Sequence, residues 1–359
     1  MAEGTLRSRI GRIGAAASWA GRALAGQLGG RAIPTLAAFY PTHRCNLRCT
    51  YCSSLFLSTP ELTTGEWLAI VDELADLGCR RVAILGGEPL LRPDLTDLVG
   101  RVRDRGMSCV LTSNGILATR QMERLRRLST LVLSLDSAGP ANDEVRGEGA
   151  RAAVGEAIAA AREARIPVKL NAVLSARTAP ELDGLLEFAR RHDVGLPVNV
   201  MRSGDAGLWR DAASIKASDT KIRRTLLRLA ELSRSEPFLL FSATTYRYAA
   251  AWGDFSQDRI TAAEAVPGDP RLRGAPRCHA GRAYVTINPD GTLHPCALTA
   301  GRISGGNAVR EGVRAAWRRL GDHECLACYS PCQVEQNLLF SLAPRVVWHF
   351  VGRHLGRFA

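Results

Sequence analysis

The sequence predicts an α/β fold in which a parallel sheet is covered by helices, with a small cysteine-rich unit after it. Three observations carry this. Short apolar runs alternate with amphipathic stretches from about residue 35 to 203, the ten cysteines gather toward the two ends, and a Pro-Asp-Gly turn sits inside the second cysteine group. With 359 residues, 46% of them hydrophobic and 23% charged, the chain can bury a large core without disulfides. Intrinsic disorder and a small stapled scaffold are excluded.

In chain order, the runs at 35–40, 81–85, 108–112, 131–135, 168–174 and 197–201 read as strands. Helical periodicity occupies 64–77, 94–105, 120–128, 152–164 and 181–193, each stretch closed by a turn signal. Six βα units fit an open sheet or a partial barrel, and patterning does not separate the two. In both, functional residues lie on loops at the carboxyl ends of the strands. Residues 204–277 read as a polar, arginine-rich helical connection. From Cys278 a new unit begins, in which 284–287 and 292–294 form a hairpin across Asn288-Pro289-Asp290-Gly291.

The formal charge is +12, from 47 Lys plus Arg against 35 Asp plus Glu, yet only Lys169, Lys216 and Lys221 are lysines. Aromatic residues make up 6%, with none of the basic–aromatic interleaving that stacks bases, so no nucleic-acid partner is expected. The arginine-bearing first 28 residues lack an apolar signal-peptide core, and no run of 18 apolar residues occurs. A cytoplasmic location follows as the expectation, and close cysteine spacing in a reducing compartment points to metal or iron–sulfur ligation.

Cys45-Asn46-Leu47-Arg48-Cys49-Thr50-Tyr51-Cys52 places three thiols on one loop after the first strand. A [4Fe–4S] cube held by three cysteines keeps one iron for a small-molecule chelate; the alternative is a zinc loop completed by His43. The CxxxCxxC spacing with an aromatic before the last cysteine resembles the cluster loop of the radical S-adenosylmethionine (SAM) superfamily. That resemblance implies a partial (β/α)6 TIM-like barrel over residues 35–203 and a SAM-cleaving [4Fe–4S] cluster on Cys45, Cys49 and Cys52. It also implies a one-electron donor such as flavodoxin or ferredoxin and a 5′-deoxyadenosyl radical that abstracts substrate hydrogen. Tyr51 would pack near the adenine.

Gly86-Gly87-Glu88-Pro89 follows the second strand. As a bare tetrapeptide it is a turn; after the cysteine loop it resembles the family's GGE motif, which implies Gly86 and Gly87 as a close-approach surface and Glu88 as acceptor for the methionine amino group. Further strand ends offer Asn114, Ser134, Asp136 and Asn171 as partners for the carboxylate and ribose, and Arg146 resembles an arginine found after the fourth strand. A cap, a turn or a surface ion pair would also explain each of them. Cys79 and Cys109 read as buried fillers.

Cys278 and Cys296, linked as C-x12-G-x4-C, precede the knot Cys325-Leu326-Ala327-Cys328-Tyr329-Ser330-Pro331-Cys332. A closed four-cysteine zinc site is the plain physical reading. The spacing resembles the SPASM and twitch domains, which implies an auxiliary iron–sulfur lobe over 278–335. Five cysteines instead of the seven of a full SPASM domain imply one auxiliary [4Fe–4S] cluster on Cys278, Cys296 and two of Cys325, Cys328 and Cys332, with a second, incompletely held cluster as the alternative.

Residues 1–34 and 336–359 read as basic amphipathic ends, with Arg345, His349, Arg353 and Arg357 recurring every four residues. They fit docking against the domain or an anionic membrane surface on the inner face. The expected function is hydrogen abstraction from a small-molecule or lipid/isoprenoid substrate, driving oxidation, epimerisation or carbon–carbon bond formation. Alternatives are a maturase acting on a ribosomally made peptide and a non-enzymatic zinc-stabilised interaction module.

Overall fold

A computed structural model of the chain describes residues 32–54, 57–202 and 212–355. The amphipathic N-terminal segment expected over 1–34 lies almost entirely outside these. Six strands, β1 (Leu36–Phe39), β2 (Arg81–Ile84), β3 (Ser108–Ser113), β4 (Thr130–Ser134), β5 (Val168–Leu174) and β6 (Val198–Val200), pair in that order. All five pairings are parallel, and each strand falls on a predicted run.

Helices α1 (Thr64–Asp76), α2 (Leu95–Asp104), α3 (Ala141–Arg146), α4 (Ala150–Glu163) and α5 (Leu182–Arg191) cover the outside. α1 starts at a capping box in which Thr63 and Glu66 satisfy each other's backbone amides. Its Trp67, Ile70, Val71 and Leu74 share one core with Val82 and Ile84 of β2 and Leu98 and Val102 of α2. The opposite parity of each strand faces inward: Arg81 and Ala83 on β2, Val110 and Thr112 on β3, and Lys169, Asn171 and Val173 on β5 are all only half-buried. Thr119–Leu125 is a 3₁₀ segment where an α-helix is predicted. Its buried residues, Met122 and Leu125, stand three apart, the spacing that a three-residue turn puts on one side.

The remaining chain forms α6 (Ala212–Ile215), α7 (Asp219–Ser235), α8 (Ala243–Ala250), β7 (Arg259–Thr261), β8 (Tyr284–Ile287), β9 (Thr292–His294), β10 (Gly306–Asn307), α9 (Ala308–Glu311), α10 (Val313–Arg318), β11 (Cys325–Cys328), α11 (Pro331–Phe340) and α12 (Pro344–Leu355). The predicted β8–β9 hairpin is present. β8 lies parallel to β1, with Leu36 opposite Tyr284, so one sheet runs β10-β9-β8-β1-β2-β3-β4-β5-β6. The cysteine-rich lobe therefore grows from the barrel's own sheet edge. The connecting region, read as helical, also supplies β7, which pairs antiparallel with the cysteine strand β11.

On α12 the basic stripe turns partly inward. Arg353 donates to the carbonyls of Ser233 and Glu236 at the end of α7, where a helix favours a cation, while Trp348 on the other side is 80% exposed. No helix among the described residues is long and apolar enough to cross a membrane.

Candidate functional site

The cysteine loop leaves β1 at Tyr40 and is held from below by the Gly86-Gly87-Glu88 turn. Gly87 N–H donates to the Thr42 carbonyl at 2.9 Å and Glu88 N–H to the Arg44 carbonyl at 2.8 Å. A Cβ on Gly87 would stand 2.1 Å from the Arg44 carbonyl oxygen, and one on Gly86, at φ +125°, 2.6 Å from that of Thr42. The two glycines thus admit the start of the cysteine loop.

Glu88 is fully buried. Its carboxylate accepts from Leu90 N–H at 3.1 Å, Asn114 N–H at 2.9 Å and the Ser113 hydroxyl at 3.1 Å. Burial outweighs these donors and pushes the carboxyl up to about 7. The Asn114 amide donates to Asn46 at 2.8 Å and lies 3.9 Å from the Cys45 sulfur, so β3's end meets the first cysteine.

Cys49 donates to the Arg146 carbonyl at 3.6 Å, Thr50 N–H to the Val145 carbonyl at 2.9 Å, and Ser54 N–H to the Cys52 sulfur at 3.5 Å. Burial raises all three thiols, Cys49 to about 12, and each feels the charge of another cysteine or of Arg146. They are unpaired thiols. Three such thiols on one loop fit a cationic cluster that takes them as thiolates and thereby offsets the burial penalty.

Tyr51, Asp136 and Arg146 form one buried unit. Asp136 accepts from the Tyr51 hydroxyl at 2.9 Å, from Arg146 in two-pronged fashion at 2.8 and 2.9 Å, and from Val173 N–H at 2.8 Å. The Arg146 guanidinium also stands 5.8 Å from the Tyr51 ring centre. Their polar ends are thus spent on one another, which makes the unit a clamp fastening the cysteine loop to β4, α3 and β5. Ser134 and Asn171 are half-buried and opposite each other in the β4–β5 register, and Asn171 accepts from Asn199 at 3.3 Å.

The second cysteine group separates into four and one. Cys278, Cys296, Cys325 and Cys328 influence one another, and the Cys278–Cys325 hydrogen bond with His323 alongside holds Cys278 well below the usual thiol range while Cys325 is raised. Cys328 and Cys325 come from β11, Cys296 ends the hairpin, and Asn337 on α11 ties the set down by accepting from Tyr284 and from His279 N–H. Cys332 instead feels Glu335 and Arg202; its sulfur accepts from the Gln336 amide at 3.8 Å and its N–H donates to Asn199. No three His, Cys, Asp or Glu side chains among the described residues converge tightly enough for a single metal ion.

Sequence reading missed Tyr40, Asn199 and Arg202. Tyr40 is buried where Cys296, Cys332, Arg202 and Cys52 all bear on its phenol, so it stands between the two cysteine groups. Arg202 pairs with Asp258 at 2.9 Å. The signal for Tyr40 and Asn199 is position: each sits at a strand's carboxyl end or in its last turn of pleat, where site residues of such sheets collect.

Residues 39–189 match the radical SAM superfamily. This stretch is a radical SAM domain. It is 38% identical over 158 residues to a PqqA peptide cyclase of Granulibacter bethesdensis, covering 42% of this chain and 42% of that one. The match therefore spans less than half of that relative. A PqqA peptide cyclase of Streptomyces rochei is 29% identical over 296 residues, covering 77% of this chain and 73% of the relative, and an AdoMet-dependent heme synthase of Methanosarcina barkeri is 34% identical over 44% and 47%. Among solved structures, Streptococcus suis SuiB bound to precursor peptide SuiA superposes with a TM-score of 0.59 at 20% identity, over 81% of this chain and 65% of that one. This likeness supports the fold, a partial radical-SAM barrel with a SPASM-like auxiliary lobe.

Proposed function

We propose that this radical SAM enzyme oxidatively modifies a peptide. The observation that carries the reading is the similarity to a PqqA peptide cyclase over 77% of the chain, more than the barrel alone makes up. When bound, the cluster and SAM supply a 5′-deoxyadenosyl radical that abstracts a substrate hydrogen. The chain's own part is to hold and shield. Cys45, Cys49 and Cys52 would hold the SAM-cleaving cluster, Glu88 and Asn114 would meet the methionine end, and the Tyr51–Asp136–Arg146 clamp keeps the loop in place. Cys278, Cys296, Cys325 and Cys328 would hold one auxiliary cluster, leaving Cys332 as the fifth thiol. An enclosed, dry interior protects a radical from quenching by solvent or bystander groups.

A small-molecule substrate is the second reading, supported by the 34% identity to a heme synthase. Formation of 5′-deoxyadenosine by the reduced protein, measured with fractionated cell extract, separates the two. Under the peptide reading, stimulation resides in a fraction that protease destroys. Stimulation that survives protease and follows the organic-extractable fraction would replace it with the second.

A further inference from the structure

Two cations face the barrel interior with nothing among the described residues to neutralise them. Arg81 opens β2 and Lys169 is the second residue of β5; both have the inward parity, opposite to that of Val82, Ile84 and Leu170 in the outer core. Among the described residues neither side chain has a hydrogen bond or ion pair. Both are half-buried, and burial lowers both, Lys169 to about 8 with Arg81 as a second cause. The two charges therefore repel each other in a confined space, an arrangement that costs stability unless an anion joins them.

The surroundings define what that anion belongs to. Ser108, opposite Arg81 in the β2–β3 register, adds an inward hydroxyl at the same depth. Above it the walls are small or apolar: Ala83, Val110 and Val132 share the inward parity. Val173, four residues above Lys169 on β5, packs on the buried cluster of Tyr51, Val145, Met201 and Ile215, against which Cys49 and Cys52 also pack. At the rise of a strand, Lys169 lies about 13 Å below that cluster.

We infer that the lower barrel is an anion site that takes the carboxylate or phosphate end of the substrate, holding an apolar body upright beneath the cysteine loop. Arg81 supplies a planar fork suited to two oxygens, and Lys169 a point charge. The inference rests on the functional reading above, which it deepens by naming the substrate's acidic end. For a peptide substrate that end is a side-chain or terminal carboxylate.

The test is calorimetric titration of the full-length, cluster-loaded protein with octanoate, octyl phosphate, octanol, and the peptide N-acetyl-Leu-Leu-Glu beside its Gln counterpart. The expected result is saturable one-to-one binding of acidic probes, weakened at least tenfold in the Arg81→Met/Lys169→Met double variant, with octanol and the Gln peptide binding no better than to that variant. Carboxylate against phosphate, and peptide against free acid, identify the source. Equal binding of octanol, or unchanged binding by the double variant, would overturn the inference. Melting temperature is the second readout, because removing an unpaired, half-buried charge beside a like charge raises it; a lower melting temperature in both single variants would mean that the charges are structurally paired and would also overturn it. Cleavage of SAM by the wild type is measured in the same preparation. Cleavage without anion binding removes this inference alone, and absence of cleavage removes the functional reading.

Discussion

Replacing Asp136 by alanine attacks the clamp at its centre. Asp136 is fully buried and Arg146 nearly so, and the change removes the acceptor that the Arg146 guanidinium, the Tyr51 hydroxyl and the Val173 amide share. Breaking a buried ion pair from one side costs about 3–5 kcal/mol, most of it the stranded charge. With a urea slope of about 3 kcal/mol/M, the unfolding midpoint falls by about 1–1.7 M. Because Arg146 and Val145 also accept from the cysteine loop through their carbonyls, iron bound at that loop should fall with stability. Anaerobic urea titration followed by circular dichroism, with iron counted per chain, reads both effects. Asp136→Leu combined with Arg146→Met should recover most of the midpoint, since no charge is stranded. A wild-type midpoint for Asp136→Ala, or no recovery in the double variant, would refute the assignment of the unit as a clamp.

Gly87→Ala would drive a methyl into the Arg44 carbonyl, so the cysteine loop should shift and about four of an expected eight irons be lost, with the auxiliary signal kept in electron paramagnetic resonance; full iron content would show the turn to be slack. Cys328→Ser should likewise reduce the count to about four, whereas Cys332→Ser should leave it near eight, because Cys332 is not among the four thiols that influence one another. The same count in both variants would show that Cys332 shares the ligand role. Burial lifts the Glu88 carboxyl from 4.5 to about 7, so the folded chain keeps a proton that the unfolded chain releases. That contribution is full below about pH 4.5 and is lost as pH rises through 7, on the order of 3 kcal/mol in total. Urea midpoints between pH 5 and 8 should therefore fall less steeply with pH in Glu88→Gln than in wild type, and parallel slopes would contradict the burial argument.

The barrel was legible because its signals are local. Val82 and Ile84, Cys109 and Leu111, and Leu170 and Ala172 show the alternation of their strands within a few residues, and the hairpin at Asn288 to Gly291 announces itself by turn chemistry. Pairing of β8 with β1 and of β11 with β7 joins residues far apart in the chain, and no local pattern encodes such a register. The short helix α3 was missed because it follows Pro140 and spans barely a turn and a half, too little for periodicity to register. At the site, the cysteines and Glu88 could be read from spacing. The roles of Asp136 and Arg146 could not, since carboxylate and guanidinium look the same in sequence whether they meet a ligand or each other. Arg81 and Lys169 did carry a signal, as charged residues inside apolar strands that helices cover on one face and the barrel encloses on the other.

The central claim is radical SAM chemistry on the Cys45–Cys49–Cys52 loop, and its most direct test is anaerobic turnover of the full-length chain with SAM and dithionite. The account predicts 5′-deoxyadenosine and methionine from an iron- and sulfide-containing protein, and none from Cys49→Ser carrying an intact auxiliary cluster. A colourless zinc protein that leaves SAM intact, or undiminished cleavage by Cys49→Ser, would contradict it.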